Sequence, residues 1–327
     1  MLKSIIKGTG MYVPPNLVTN HDLEKIMDTS DEWIKQRTGI EQRYWVSPEK
    51  PEGSADLGLK AAENALEVAG WTAQDLDFII FATLSPDIFF PGSGCLLQGK
   101  LGLDSTPVLD IRQQCTGFLY GIATADSYIK TGLAKKVLLV GAEVHSTGLD
   151  KTTRGRDVSV IFGDGAAALC IEGLDTDEKV GVLSSALHAD GNLAEALMVE
   201  LPASRLPVRL PKDVSIDDPR YYPHMDGKLI FKKAVKMMPQ VINEALEKAE
   251  LSLEDIDLII PHQANFRINQ ALGQTLKLDE NKIFHRHSIY YSWPYNKSLI
   301  SHNFNQNSFL PLSVKLCIIY LFPWTKI

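Results

Sequence analysis

Apolar and polar positions along the chain follow two periods. Through "ENALEVAG", from Glu63, apolar residues recur at i, i+3 and i+4, the spacing of an amphipathic helix. A polar turn follows, and then the apolar run "FIIFA", which reads as a buried strand. The same succession returns in "NEALEKAELSLEDIDLIIPH". Residues 63–82 and 243–262 align without a gap at an offset of 180, with eight of the twenty positions identical. Repeats of about 20 to 50 residues indicate solenoids. One copy in each half of the chain points instead to a duplicated domain, with chance similarity between two helix–turn–strand units as the plain alternative.

The remaining pattern agrees with a layered α/β protein. "TPVLDI" (106–111) and "KKVLLVGAE" (135–143) read as fully buried strands on either side of a helix from about Thr116 to Thr131. "VSVIFGDGAAALCIEG" reads as two strands joined at Gly163-Asp164-Gly165, an Asp-Gly turn. In "TSDEWI", Thr29 and Glu32 form a capping box, so a helix is expected to start there. Strands alternating with helices predict two α/β halves around mostly parallel or mixed sheets. The polar stretch "EGLDTDEK" sets the boundary, giving an N-terminal half at 1–175, a C-terminal half at 176–285 and a tail at 286–327.

Composition narrows the function classes. The 327 residues are 45% hydrophobic and 22% charged, enough for one large or two medium domains. A net charge of −7 with scattered Lys and Arg argues against non-specific nucleic-acid binding, which needs a concentrated basic patch. Cys95, Cys115, Cys170 and Cys317 form no CxxC pair, so neither a zinc site nor a disulfide framework is indicated. The first residues lack a secretory apolar core, and the longest apolar segment, 309–322, is interrupted by Lys315 and too short to span a bilayer. The expectation is a soluble, reducing, cytoplasmic protein with no bound metal.

Free cysteine is usually a small buried hydrophobe, and Cys95, Cys170 and Cys317 are read that way. Cys115 differs, because it follows a predicted strand and opens a helix. There the helix dipole and unsatisfied N–H groups are expected to lower its pKa, and the carboxyl ends of strands are where α/β crevices form. The second copy of the repeat places His262 where the first has Ala82. If the halves face each other, a thiol from one meets an imidazole from the other, as nucleophilic catalysis requires. A structural histidine is the competing reading.

Five segments, in this order, resemble the β-ketoacyl-acyl-carrier-protein synthase III family of the thiolase superfamily. They are "TSDEWIKQRTGI" (29–40), "QCTGFLYG" (114–121), "GRDVSVIFGDGAAA" (155–168), "MDGKLIFKKAV" (225–235) and "PHQANFRI" (261–268). The resemblance implies a duplicated αβαβα layered fold, with the C-terminal half incomplete, and a homodimer. It also implies an acyltransferase that joins an acyl-CoA starter to malonyl-acyl-carrier protein with loss of CO₂, initiating fatty-acid synthesis. CoA thioester is then a substrate and no cofactor is needed. Cys115 would take the acyl group, and His262 would bind the malonyl thioester oxygen. Trp33 and Arg37 resemble a pair that meets the CoA adenine, though surface packing would explain them equally. Arg156, Gly227, Phe231, Ala264 and Asn265 match positions lining the CoA and pantetheine path. Lys232 and Arg267 match basic residues that hold the acidic carrier protein, and Phe90 a residue that reaches the partner subunit's acyl pocket. A relative with another acceptor, or a condensation-deficient pseudoenzyme, shares most of these features.

The resemblance fades from about residue 286. A Gly-Asn-Thr element, whose Asn is the family's second oxyanion donor, is expected about thirty residues after the histidine. "IYYSWPYNKS" stands there instead, with Ser292 near the expected place. Codons for Trp293-Pro294-Tyr295-Asn296 read one base later can give Gly, then His, Leu, Pro or Arg, then Thr or Ile twice. A frameshift and a divergent terminus both remain open. The donor role is assigned to neither Asn296 nor Asn303.

Overall fold

The computed structural model describes residues 1–209, 211–215 and 217–284, with the backbone of one further strand at 316–319. The chain runs β1 (Leu2–Tyr12), β2 (Asn16–Thr19), α1 (Asn20–Glu24), α2 (Asp31–Thr38), β3 (Gln42–Trp45), α3 (Ser54–Ala69) and β4 (Phe78–Ala82). Next come α4 (Ser93–Lys100), β5 (Val108–Ile111), α5 (Gly117–Lys130), β6 (Lys136–Glu143), α6 (Arg156–Ser159) and β7 (Gly165–Asp175). Then follow β8 (Leu197–Met198), β9 (His224–Met225), α7 (Gly227–Ala249), β10 (Leu258–Pro261), α8 (Phe266–Leu276) and β11 (Leu316–Ile319).

The main sheet has the order β1-β7-β6-β4-β5, with β6, β4 and β5 parallel and β7 antiparallel to both its neighbours. Its two faces separate cleanly along each strand. Ile79, Phe81, Leu138, Val140, Ala168 and Cys170 pack with α3 residues on one face. Ile80, Val137, Leu139, Leu169 and Ile171 pack with α5 residues on the other. Strict alternation of buried aliphatics on both faces is what a sheet covered by helices on each side requires. Each fully buried Leu or Ile contributes about 1.5–3 kcal/mol. Cys170 is a core residue, as expected, whereas Cys95 on α4 is exposed rather than buried, and the Cys317 side chain lies outside the described residues.

The repeat is structural. In the first copy α3 ends at Gly70 in the left-handed region (φ 67°), and in the second α7 ends at Glu250 (φ 53°). The Thr72 N–H donates to Asp75 at 2.8 Å, and the Ser252 N–H donates to Asp255 at 2.9 Å. Both turns lead into a strand, β4 and β10, with Ile79 and Ile259 fully buried. Around β10, residues of α7 and α8 form a separate apolar cluster. The backbone of β11 pairs in parallel with β10, Leu258 opposite Leu316. The rest of the tail from residue 286, with Ser292, Asn296 and Asn303, lies outside the described residues.

Three local expectations need correction. The helix in "TSDEWI" is capped by Ser30, whose extended backbone lets its hydroxyl accept from the Trp33 N–H at 3.1 Å, rather than by Thr29. The stretch 158–173 is not a hairpin. α6 replaces its first strand, and β7 pairs with β1 and β6 instead. Asp164 is fully buried and accepts from the N–H groups of Val46, His145 and Ser146, so it ties loops together rather than turning a hairpin. Third, β5 is an edge strand of the main sheet and only partly buried, whereas β6 is buried nearly throughout.

Helix α3 lies directly on the backbone of β1, and two glycines allow it. A Cβ on Gly8 would stand 2.2 Å from the Ala65 carbonyl oxygen, and one on Gly10 would stand 2.0 Å from that of Ala61. Neither can be accommodated without moving helix from strand. Gly10→Ala is therefore expected to lower stability by about 1–3 kcal/mol through overpacking. A thermal or urea melt unchanged within error would contradict this packing.

Candidate active site

The carboxyl ends of β4, β5 and β6 lie side by side, with Ala82 opposite Ile111 on one flank and Gly141 on the other. Each end carries chemistry: Thr83 to Ser85 follow β4, Cys115 follows β5, and Glu143 closes β6. Cys115 sits in a single 3-10 turn, Gln114–Thr116, that opens α5. Gln114 has φ 42°, in the left-handed region that non-glycine residues rarely occupy. Such strain costs about 1–3 kcal/mol and gathers at functional sites. The turn is held by Thr116, whose N–H and hydroxyl donate to the Gln113 carbonyl at 3.1 and 2.8 Å.

Cys115 keeps some accessible surface. It packs against an apolar cluster built on buried Ala196 and Ile230, to which Leu193, Leu197, Met225 and Leu229 also belong. This crowding pushes the thiol up to about 12, and the Glu143 charge adds to the push, while the backbone N–H of Cys115 works against both. The sequence led us to expect a lowered value. Desolvation of the anion outweighs the helix terminus here, because the side chain is buried against an apolar cluster. The resting thiol is protonated.

Glu143 is 1% exposed and sits among donors. The N–H groups of Leu84 and Ser85 donate to its carboxylate at 3.0 and 3.1 Å, and the Ser85 hydroxyl at 2.5 Å. Burial still raises it to about 7. His145 Nε2 lies 3.8 Å from Glu143 Oε2, and its ring meets Phe162 edge-on at 4.7 Å. Burial holds His145 at about 4. Neither Glu143 nor His145 was singled out from the sequence, although an acid closing a run of seven buried positions is a readable signal.

His262 directly follows β10, and burial lowers it to about 4, so the imidazole is neutral near pH 7. The turn after it is organised by Gln263, whose side-chain amide donates to the carbonyls of Pro261 and Phe284 at 2.8 and 3.1 Å. Asn265 caps α8, its side-chain oxygen accepting from the Arg267 N–H at 2.9 Å. Ala264 lies between them in the same turn. That helix start abuts the other half of the chain: a Cβ on Gly39, the C-cap of α2, would stand 3.0 Å from the Phe266 Cβ.

A second cluster forms on α2 and α6. The Arg37 and Arg156 guanidinium carbons lie 4.3 and 4.7 Å from the Trp33 ring centre, so two cations face one indole. Arg156 is fixed by a 2.7 Å hydrogen bond to the Asp28 carbonyl. Gly227 begins α7 on the surface, and Ile230 in the same first turn is buried in the apolar cluster against which Cys115 packs. Phe231 follows, with the Arg267 guanidinium 5.8 Å from its ring centre. Lys232 is exposed on the same helix. Phe90 stands apart from these groups, 77% exposed in the loop between β4 and α4. Among the described residues, no group of three or more His, Cys, Asp or Glu is placed to hold a metal ion. No helix among them is long and apolar enough to cross a membrane.

Comparison with known proteins agrees with this arrangement. Residues 109–191 match the family 3-oxoacyl-[acyl-carrier-protein (ACP)] synthase III, and residues 246–290 match its C-terminal counterpart. A curated β-ketoacyl-[acyl-carrier-protein] synthase III of Thioalkalivibrio sulfidiphilus is 41% identical over 283 residues, covering 85% of this chain and 82% of the relative. The crystal structure of 3-oxoacyl-[acyl-carrier-protein] synthase III from Aquifex aeolicus VF5 superposes with a TM-score of 0.78 at 39% identity, covering 90% of this chain and 87% of that one. The Pseudomonas aeruginosa PAO1 structure gives 0.79 at 32% identity, with coverage of 92% and 89%. With the strained Cys115 turn, the duplicated helix–strand unit and both family matches in place, the chain belongs to the β-ketoacyl-[acyl-carrier-protein] synthase III family and has its thiolase-like fold.

Proposed function

We propose that this chain catalyses the initiating condensation of fatty-acid synthesis, with Cys115 as nucleophile and His262 as oxyanion donor. The observation that carries the assignment is the strained turn placing Cys115 at the joined ends of three parallel strands, against the first turn of α7. In the first step the Cys115 sulfur bonds to the acyl carbon of an acyl-CoA. The bond from that carbon to the CoA sulfur breaks, and the departing CoA takes up the proton that Cys115 loses. In the second, malonyl-acyl-carrier protein loses CO₂, and the electron pair of the broken C–C bond becomes an enolate whose oxygen accepts from the neutral His262 imidazole. The enolate carbon attacks the acyl-Cys115 carbonyl, and the Cys115 sulfur leaves and regains a proton. Donors aimed at an oxyanion in a desolvated site contribute strongly to such a step.

The other assignments follow the same reading. Trp33, Arg37 and Arg156 form a flat, cationic surface suited to an adenine ring and its phosphates. Gly227, Phe231, Ala264 and Asn265 line the path of the pantetheine arm between α7 and α8. Lys232 and Arg267, both exposed, receive the acidic carrier protein. The apolar shell of Cys115 suits an apolar starter chain. A homodimer accounts for the open edge of β5 and for exposed Ile88, Phe89 and Phe90, whose Phe90 would enter the partner's acyl site. The N-terminal half, 1–175, contributes the nucleophile, and the C-terminal half, 176–285, the histidine. No resident cofactor is needed for this chemistry, and the reading places the enzyme in the cytoplasm.

Acyl-CoA incubation should add one acyl group to the Cys115 peptide by mass spectrometry, and Cys115→Ala should add none. His262→Ala should keep that acylation while condensation with malonyl-acyl-carrier protein falls about 100- to 1000-fold. Equal loss of both steps would sink the division of labour. Arg156→Ala should raise KM for acyl-CoA about tenfold, the loss of roughly 1.4 kcal/mol of binding, with kcat little changed. Because His262 titrates near 4, the pH profile of kcat for condensation should show no histidine ionisation around 6.5. A limb there that disappears in His262→Ala would contradict a neutral donor.

A further inference from the structure

Arg43 has no exposed surface. It stands on β3 opposite Val18 of β2, and its guanidinium donates to two backbone carbonyls, that of Val18 at 3.4 Å and that of Val160 at 2.8 Å. Its buried Nε has no partner. Burial lowers Arg43 to about 10, so it is still a cation at neutral pH. Asp31 acts the other way, but that carboxylate already accepts from the Asn20 amide at 2.9 Å and pairs with Lys35 at 3.0 Å. A buried cation is costly, and apolar residues of similar volume often serve a core as well or better. Packing alone therefore gives no reason for Arg43. Its hold on Val160 does. Val160 caps α6, a single turn of helix too short to be stable by itself. The Val160 N–H donates to the Arg156 carbonyl at 3.4 Å, and the Arg156 guanidinium carbon lies 4.7 Å from the Trp33 ring centre. A continuous line of contacts thus runs from Arg43 through Val160 to the Arg156–Trp33 stack. Ser159 ties α6 only to its own preceding loop, its hydroxyl donating to the Asp150 carbonyl at 2.6 Å, whereas Arg43 ties it across to β2 and β3. The residues beyond α6 are held separately. The Trp45 indole N–H donates to the Phe162 carbonyl at 3.1 Å, and the Asp164 N–H to the Tyr44 carbonyl at 2.8 Å. Loss of Arg43 would loosen α6 and leave β7 in place.

We propose that Arg43 is a positioning residue: by gripping the Val160 carbonyl it fixes α6 against β2 and so sets where Arg156 lies on Trp33. A planar guanidinium suits this task, because its fork reaches two carbonyls at once, which a lysine or an apolar side chain cannot do. The effect on substrate is confined to the nucleotide end of acyl-CoA, well away from bond making at the acyl carbon. That consequence rests on Trp33, Arg37 and Arg156 being the adenine surface, but the anchoring of α6 does not.

The test compares the full chain with Arg43→Met, which fills similar volume without donors, on two thioesters: acyl-CoA, and the same acyl group on pantetheine, which lacks the nucleotide. In Arg43→Met, KM for acyl-CoA should rise about three- to tenfold with kcat little changed, and KM for acyl-pantetheine should stay where it was. In an Arg156→Ala background the same substitution should add nothing further, because Arg43 acts through Arg156. A merely structural role would raise both KM values alike, lower kcat, or add to the effect of Arg156→Ala, and any of these overturns the proposal. Arg43→Lys keeps the charge but reaches one carbonyl at a time. It should show the same pattern by less, and it decides the matter if Arg43→Met fails to fold. Amide hydrogen exchange across α6 is read in parallel and should be faster in either variant; unchanged exchange there overturns the anchoring. Faster exchange beside an Arg156→Ala that leaves KM for acyl-CoA unchanged would overturn the adenine-surface reading and leave the anchoring standing.

Discussion

Two carboxylates removed from water, Glu143 and Asp164, hold together the loops at the carboxyl ends of the central strands. Each takes backbone N–H groups from a distant segment: Glu143 from Leu84 and Ser85, Asp164 from Val46, His145 and Ser146. An ion this deep is stable only when its lone pairs are filled, and leaving one donor unpaired costs about 1–3 kcal/mol. The loops are thus fixed by a requirement that cannot be met partially. The strained Gln114 and the Cys115 turn stand against this fixed frame. So does the cluster of β2, β3 and α2, whose apolar residues pack with Leu149, Val158 and Val160 and bring Arg156 over Trp33.

What the sequence made legible follows from which forces act locally. The helix–turn–strand repeat could be read because its apolar spacing and its turn both depend on neighbours within about twenty residues. The Thr72–Asp75 and Ser252–Asp255 turns bear this out atom by atom. Elements set by distant partners read less well. The 158–173 stretch has the composition of a hairpin, but β7 finds better partners in β1 and β6, and Asp164 is drawn into loop anchoring. β5 was read as fully buried because "TPVLDI" is apolar, yet its place at the sheet edge is decided by topology, which no local pattern encodes.

The candidate site shows the same division. Cys115 at a strand-to-helix turn and His262 after the second repeat strand could be named from position alone. Their electrostatics could not. The helix terminus argued for a lowered thiol pKa, but burial among Leu193, Leu197, Leu229 and Ile230, together with Glu143, reverses the sign. Three of those leucines and the isoleucine lie more than seventy residues from Cys115 in sequence, so desolvation here is a property of the fold. Glu143 itself sits inside a predicted strand, where a residue reads as architecture until its partners are known.

A high thiol pKa at the proposed nucleophile is consistent with the proposed chemistry once the acyl-enzyme is considered. The surroundings of Cys115 make the thiolate costly because they are apolar and face a buried acid. The same surroundings make a neutral thioester comfortable. The difference between the two states is therefore tilted toward the acylated cysteine, and the resting enzyme has little exposed thiolate open to alkylation or oxidation. The proton need not leave before the thioester arrives, since the departing CoA sulfur can take it as the bond to the acyl carbon breaks. Catalytic strength then lies in stabilising what forms during transfer rather than in storing a reactive anion beforehand.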